Sequence, residues 1–335
     1  MLYSRYRFHI LLLVGSFINS CNAQENSGEN RLLLEKTIAL PGVNGRIDHI
    51  DINVKDKIAY IVALDNNTLE IVDLKSGRIT GTIKRLHEPQ GVAYIEKHKE
   101  FMVANGGSGE CSFYNAATLK KTGSIKLSGD ADNVRVDKSE DKIYVGYGNG
   151  GIAIIDASSH MQIDDIILPS HPESFQLDVN TARLWVNLPG SGMIGLVNLK
   201  KTRLIAHWSR FLPRANFPMA YDELQHRILV GYRLPSRLII YDSETGKEIF
   251  SSPTVGDVDD LYWNKTSGEI YLSGGSGAIN IFKQTGKASY KQLFAIKIPI
   301  GARTSLFVPE LNQFLIAARS IGDQPAKLII YRVLH

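Results

Sequence analysis

Short, partly alternating apolar runs recur along almost the whole chain, and they predict β-strands rather than helices. No long segment shows helical periodicity, and the runs are separated by turns that contain Gly, Asn or Asp, such as residues 53–56 and 75–77. The first group of strands is predicted at Ile47–Asn53, Ile58–Leu64, Thr68–Leu74 and Arg78–Lys84.

This group of four strands repeats. When the third strands are aligned, a polar residue ends each of them: Asp73, Asn115, Asp156, Asn198, Asp242, Lys283 and Arg332. A second column holds mostly small residues: Ala63, Ala104, Gly146, Asn187, Gly231, Ser273 and Ala317. A period of about 40–45 residues with four strands in each unit is typical of β-propeller blades, whose sheets converge on a central axis.

The two ends of the repeat region complete one another. The last unit ends at its third strand, residues 328–331, and an unassigned strand at residues 33–40 has the pattern of an outer strand. Pairing of these two segments would close the ring and remove exposed sheet edges. The sequence therefore predicts an all-β, seven-bladed β-propeller over residues 31–335, with four antiparallel strands per blade and strand 33–40 completing the last blade.

Two segments resemble a known repeat. Residues 142–156, which contain Tyr144-Val145-Gly146-Tyr147, and residues 57–73 are similar to the YVTN-type propeller repeat. The resemblance extends over roughly residues 31–335 and implies membership of the exported bacterial seven-bladed rings that include the YncE-like proteins. Their roles vary, so the resemblance implies a fold and not an activity.

The N-terminus predicts export. Arg5 and Arg7 precede an apolar run at residues 10–18 that is too short to span a bilayer, so residues 1–20 are interpreted as a signal peptide. Residues 18–21 resemble a bacterial lipobox, in which Cys21 would be lipidated, and residues 21–30 would form a tether. Alternatively, residues 21–23 are an ordinary cleavage site. We expect a periplasmic, outer-membrane or cell-surface lipoprotein, or otherwise a secreted protein, with no membrane contact beyond a lipid anchor.

Composition narrows the class of partner. The chain is 44% hydrophobic and 21% charged, which suits a soluble monomer with a large core. Its net charge of +4 falls by the two arginines of the signal peptide, and acidic and basic residues are interleaved. These features argue against nucleic acid as a partner. After processing only Cys111 remains, so an internal disulfide is excluded.

Polar residues of varied chemistry cluster where the inner strands of the predicted blades begin. In a propeller these positions ring one mouth of the central channel. The candidate ligand-binding residues are Arg46, Asp48, His49, Gln90, Asp132, Asn133, His171, Glu173, Asn216, Asp259 and Arg303. Each of them could instead bond to loop backbone, since buried polar groups need partners whatever the function.

Two functions follow from this rim. The first is a binding or interaction protein that takes a small molecule, a protein or a peptide at the channel mouth, which agrees with the absence of nucleophile motifs. The alternative is a metal-dependent hydrolase or lactonase. Its cofactor would be a divalent cation held by Asp48, Asn133, Glu173 and Asp259, because hard cations prefer oxygen ligands.

Overall fold

The structure, a computed structural model, describes residues 31–334. The predicted signal peptide, the lipidation site Cys21 and the tether at 21–30 lie outside these residues. Within the described part, no helix is long and apolar enough to cross a membrane. Regular structure consists of strands and two single-turn 3₁₀ helices at Pro189–Ser191 and Pro309–Leu311.

The strands follow one another in chain order. The first fourteen are β1 (Leu32–Ala39), β2 (Ile50–Asn53), β3 (Ile58–Ala63), β4 (Thr68–Asp73), β5 (Arg78–Lys84), β6 (Pro89–Ile95), β7 (Glu100–Asn105), β8 (Glu110–Asn115), β9 (Lys121–Lys126), β10 (Val134–Asp137), β11 (Lys142–Tyr147), β12 (Gly151–Asp156), β13 (Met161–Ile167) and β14 (Phe175–Asp178). The second fourteen are β15 (Arg183–Leu188), β16 (Met193–Asn198), β17 (Arg203–Ser209), β18 (Arg214–Asp222), β19 (Arg227–Leu234), β20 (Ser236–Asp242), β21 (Glu248–Pro253), β22 (Val258–Asn264), β23 (Glu269–Gly274), β24 (Ala278–Gly286), β25 (Ser289–Lys297), β26 (Thr304–Val308), β27 (Gln313–Ala318) and β28 (Lys327–Val333).

These strands form antiparallel meanders of four. Five sheets contain four strands each, and one sheet contains eight, in the order β10-β11-β12-β13-β17-β16-β15-β14. The eight-stranded sheet consists of two antiparallel meanders whose outer strands, β13 and β17, meet in parallel at the single pair Ile167 and Arg203. The four-strand unit predicted from the repeat is therefore present throughout.

Strands from both ends of the chain share one sheet. β1 pairs antiparallel with β28, from Leu32 opposite Val333 to Ala39 opposite Lys327, with a register shift between Leu34 and Lys36. The predicted pairing of residues 33–40 with the last strand is confirmed, one residue earlier than expected. β28 is thereby an interior strand of the sheet β1-β28-β27-β26 and presents no free edge.

The regular column of polar residues at the ends of the third strands has a local cause in the turns that follow them. Asp73 Oδ1 accepts a hydrogen bond from Lys75 N at 2.8 Å, and Asp242 Oδ1 accepts one from Thr245 N at 2.8 Å. Asn115, Asp156 and Asn198 accept equivalent bonds from backbone amides two or three residues on. Short side chains that bond their own turn fix the hairpin geometry, and this is why the column holds mainly Asp and Asn.

The hydrophobic core lies between neighbouring sheets, and the outer strands face solvent. Large side chains such as Trp185, Tyr60 and Tyr271 are fully buried at these contacts. The column of small residues marks close approaches. A Cβ on Gly231 would lie 2.6 Å from Pro218 Cγ, so a larger residue would push the strands apart.

Candidate functional site

The first strand of every four-strand meander contributes to the wall of one cavity of about 1050 Å³. One residue from each of these strands, at the same register, lines it: Asp51, Ala93, Arg135, Gln176, Ala220, Tyr262 and Leu306. Because the repeats place their inner strands side by side around this space, polar residues at the inner-strand entries can converge on a common site.

Ten of the eleven candidate residues line this cavity. They are Arg46, Asp48, His49, Gln90, Asp132, Asn133, His171, Glu173, Asp259 and Arg303. Asn216 does not reach it. Its side-chain amide is buried and donates to Asn187 Oδ1 and to Met193 O, both at 3.0 Å. Asn216 is therefore the candidate whose side chain lies outside the cavity, where its amide joins two neighbouring sheets.

Arginine side chains compensate several carboxylates at the mouth. Arg46 Nη2 lies 3.1 Å from both oxygens of Asp48. Arg233 bonds to Asp259, and Arg303 Nε lies 3.1 Å from the other oxygen of that carboxylate. Three of the four arginines that line the cavity are therefore held in ion pairs with the acids beside them.

The fourth arginine is different. Arg135 donates to Val134 O at 2.8 Å and to Ser174 Oγ at 3.2 Å, and its guanidinium lies 5.5 Å from the centroid of the Phe175 ring. No carboxylate of the described residues lies within ion-pair distance of it. Burial lowers the pKa of Arg135, although the surrounding acids oppose this effect.

His49 and Asp132 face one another at the mouth. His49 Nδ1 lies 2.9 Å from Gln90 O and 3.7 Å from Asp132 Oδ1. Asn133 Nδ2 donates to Asp132 Oδ2 at 3.2 Å. Asp132 is only 6% exposed, and its Oδ1 is buried without a hydrogen-bond partner among the described residues. The nearest cationic group to this oxygen is the His49 imidazole, which is too distant for a hydrogen bond.

The crowding of charge shifts several pKa values. Burial opposes protonation of His49, but the carboxylates of Asp132 and Asp48 outweigh it and raise its pKa to about 9. Burial raises the pKa of Glu173 to about 8, and Asp132 adds repulsion. Burial also raises the pKa of Asp260 to about 7. Near neutral pH the cavity wall therefore combines a cationic imidazole with carboxyl groups that retain protons.

A second pair of polar residues at the mouth joins neighbouring units. His171 Nδ1 lies 2.6 Å from Gly148 O and 3.4 Å from Asp130 Oδ2. Gln90 Nε2 donates to the other oxygen of Asp130 at 3.2 Å. Asp130, which is exposed, thus links the side chains of His171 and Gln90 across the rim.

Two of the four oxygen ligands expected for a divalent cation have other partners in the structure. Asp259 is occupied by Arg233 and Arg303, and Asn133 directs its amide nitrogen to Asp132. Among the His, Cys, Asp and Glu side chains of the described residues, ligand atoms from Asp48, His49 and Asp132 all lie within 4.8 Å of one another. The three carboxylates of the expected set, Asp48, Glu173 and Asp259, do not form such a group, and the set that includes Asn133 stays a prediction.

Sequence reasoning missed the polar residues deeper in the cavity. Asp51 Oδ2 accepts from Tyr94 N at 2.6 Å, and burial raises the pKa of Asp51 to about 6. Tyr262 donates its hydroxyl to Ser305 O at 2.7 Å. Asp51, Arg135 and Tyr262 share one register, opposite Tyr60, Tyr144 and Tyr271 of the second strands. Polar residues inside strands that are otherwise apolar were the signal that would have found them.

Comparisons with known proteins show the fold. No family model matches the chain, and no curated protein matches it. A chain in the crystal structure of the mitotic checkpoint complex is similar over 100% of both chains, with a TM-score of 0.78 and 14% identity. Kuenenia stuttgartiensis hydrazine synthase is similar over 88% of this chain and 97% of that chain, with a TM-score of 0.73 and 13% identity. Both neighbours are β-propellers, so this all-β chain has a propeller-like fold.

Proposed function

We propose that this protein is an exported, seven-bladed β-propeller that binds a small anionic molecule in its central channel. The number of blades is supported by the inner strands that share one cavity wall, with the eight-stranded sheet counted as two blades. The backbones of those two blades pair only at Ile167 and Arg203, which is one bridge between their outer strands.

The proposed class of ligand rests on Arg135, a cation of the channel wall that has no anionic partner among the described residues. It lies in the channel without a carboxylate partner, whereas Arg46, Arg233 and Arg303 are already paired. A planar guanidinium binds a carboxylate or phosphate through two parallel hydrogen bonds, and such bonds are strong where water is partly excluded. A ligand carboxylate or phosphate would supply the anion that Arg135 lacks.

A protein or peptide remains the second kind of partner. The neighbour in the mitotic checkpoint complex belongs to a protein assembly, which is consistent with protein partners in general. We favour a small molecule because the unpaired cation lies inside a concave cavity, where a small ligand can be surrounded. The hydrolase or lactonase alternative has less support, because the carboxylates of its expected ligand set, Asp48, Glu173 and Asp259, do not lie together as one group.

Calorimetric titration of the purified protein with succinate and with inorganic phosphate tests the proposal, with glycerol as the uncharged probe. We expect at least one anion to bind, and Arg135→Gln to weaken that binding by about tenfold or more. Arg214→Gln is the matched control, since Arg214 is exposed and lies over Phe211 outside the cavity. Absence of anion binding, or equal loss in both variants, would contradict the proposal.

A further inference from the structure

Three side chains with metal-binding atoms meet at the channel mouth although they come from distant parts of the chain. Asp48 and His49 precede β2, and Asp132 precedes β10. One ligand atom from each lies within 4.8 Å of the others. Atoms that each stand about 2.1 Å from a common ion are about 3–4 Å apart, so small side-chain movements would bring these three atoms to binding distance.

Asp132 supplies an independent reason to expect an ion. Its Oδ1 is buried and has no hydrogen-bond partner among the described residues. An unsatisfied carboxylate oxygen is costly in a folded protein, and a bound cation would satisfy it. The other oxygen, Oδ2, is held by Asn133 Nδ2, which fixes the direction in which Oδ1 points. A second shell of this kind is typical around metal-binding carboxylates.

We propose that Asp48, His49 and Asp132 form a binding site for a divalent transition-metal ion. One imidazole and two carboxylates suit Mn²⁺ or Zn²⁺ better than Ca²⁺, which prefers six to eight oxygen ligands. This inference goes beyond the proposed function and does not depend on it, because the ion needs neither Arg135 nor an anionic ligand.

Arg46 and His49 must change their present contacts when the ion binds. Arg46 Nη2 now lies 3.1 Å from Asp48 Oδ1, but the side chain of Arg46 is 41% exposed and can withdraw into water. His49 Nδ1 carries a hydrogen while it donates to Gln90 O, since a carbonyl only accepts. An imidazole nitrogen binds a metal only without its proton, so ion binding releases one proton to water, either from Nε2 or from Nδ1 with loss of its hydrogen bond to Gln90 O.

Arg46 and the metal ion compete for Asp48. Removing the guanidinium should therefore strengthen metal binding, because the ion no longer has to displace it from Asp48. Removing a ligand should weaken it. A merely structural cluster of charges predicts no such opposition between Arg46→Gln and Asp132→Asn, since both changes would only disturb the rim.

The experiment titrates the purified, EDTA-treated protein with MnCl₂, ZnCl₂, CaCl₂ and MgCl₂ by calorimetry, with electron paramagnetic resonance for Mn²⁺. We expect Mn²⁺ or Zn²⁺ to bind more tightly than Ca²⁺ or Mg²⁺. Asp132→Asn and His49→Gln should each lower the affinity about tenfold or more, and Arg46→Gln should raise it. Each titration is accompanied by a thermal unfolding curve, which identifies variants that fail to fold.

Matched controls lie outside the three ligands. Asp257→Asn removes an exposed carboxylate from the same rim, and His98→Gln removes an imidazole that is paired with Asp141 elsewhere on the surface. Both should bind metal as the parent does. No binding of Mn²⁺ or Zn²⁺ by the parent, or unchanged affinity in a folded His49→Gln variant, would overturn the site. Either result would leave the anion titrations of Arg135 to be decided separately.

Discussion

The guanidinium carbon of Arg233 lies 3.7 Å from the centroid of the Phe217 ring, and the same guanidinium bonds to Asp259 on the next sheet. The aromatic face therefore holds a cation in the position where it neutralises an acid of the cavity wall. Stacking of this kind stabilises by about 0.5–2 kcal/mol, depending on how far water is excluded.

We expect a double-mutant cycle of Phe217→Ala and Arg233→Ala to give a coupling free energy of about 1 kcal/mol in urea unfolding. The matched pair is Phe211 and Arg214, whose cation lies 5.1 Å from a ring that is 78% exposed. Its coupling should be smaller. Equal coupling in both pairs would show that the burial of Phe217 adds nothing to the stacking.

The strand that joins the chain ends can be tested with two substitutions on β1. Ile38 is 2% exposed and packs with Leu328 and Ile330, whereas Leu34 is 58% exposed. We expect Ile38→Ala to lower the free energy of unfolding by about 2–5 kcal/mol, because it leaves a cavity between β1 and its neighbours. Leu34→Ala should change it little. Chemical denaturation measures both, and similar small losses would contradict the role assigned to β1.

Glu173 should make stability depend on pH. Burial raises the pKa of its carboxyl from the ordinary 4.5 to about 8, so the folded state holds the proton more tightly than the unfolded chain between these pH values. The contribution of this group to stability therefore falls as pH rises through that window, by up to about 1.4 kcal/mol per pH unit. Urea unfolding of Glu173→Gln at pH 5 to 8 should show a gain relative to the parent that grows with pH.

The control for this pH series is Glu223→Gln, which removes a carboxyl group from an exposed turn. Its stability relative to the parent should not change across the window. A constant difference between Glu173→Gln and the parent would mean that the carboxyl at 173 titrates alike in the folded and unfolded chains.

The predicted lipid anchor remains to be tested. If Cys21 is acylated, Cys21→Ala should move the protein from the membrane fraction to the soluble fraction, because the acyl chains supply the membrane affinity. Fractionation followed by mass spectrometry of the N-terminus measures this. Cys111→Ala, at a buried thiol whose pKa burial raises to about 12, should leave the distribution unchanged. An unmodified Gln24 as the first residue of the parent would exclude the anchor.

The repeat pattern predicted the strands and the shared rim well, since turn residues and apolar runs act locally. It did not separate Asn216 from its neighbour Phe217: Phe217 lines the cavity, whereas the side chain of Asn216, one position earlier in β18, bonds to Asn187 on the neighbouring sheet. Successive side chains of a strand point to opposite faces, so an error of one position moves a residue out of the site. The pattern also failed to reveal how acids and arginines would pair, since Asp259 lies far in sequence from Arg303 and Arg233 contacts it from another sheet.

The pairing of β1 with β28 has a consequence for the order of folding. Leu32 is among the first described residues to be synthesised, and Val333, opposite it, is among the last. Until residues 327–333 have been synthesised, β1 has no partner strand and the sheet that it completes cannot form. Contacts so distant along a chain carry a large loop-closure entropy and form slowly. Every nascent chain therefore carries β1 as an unpaired strand until residues 327–333 have been added.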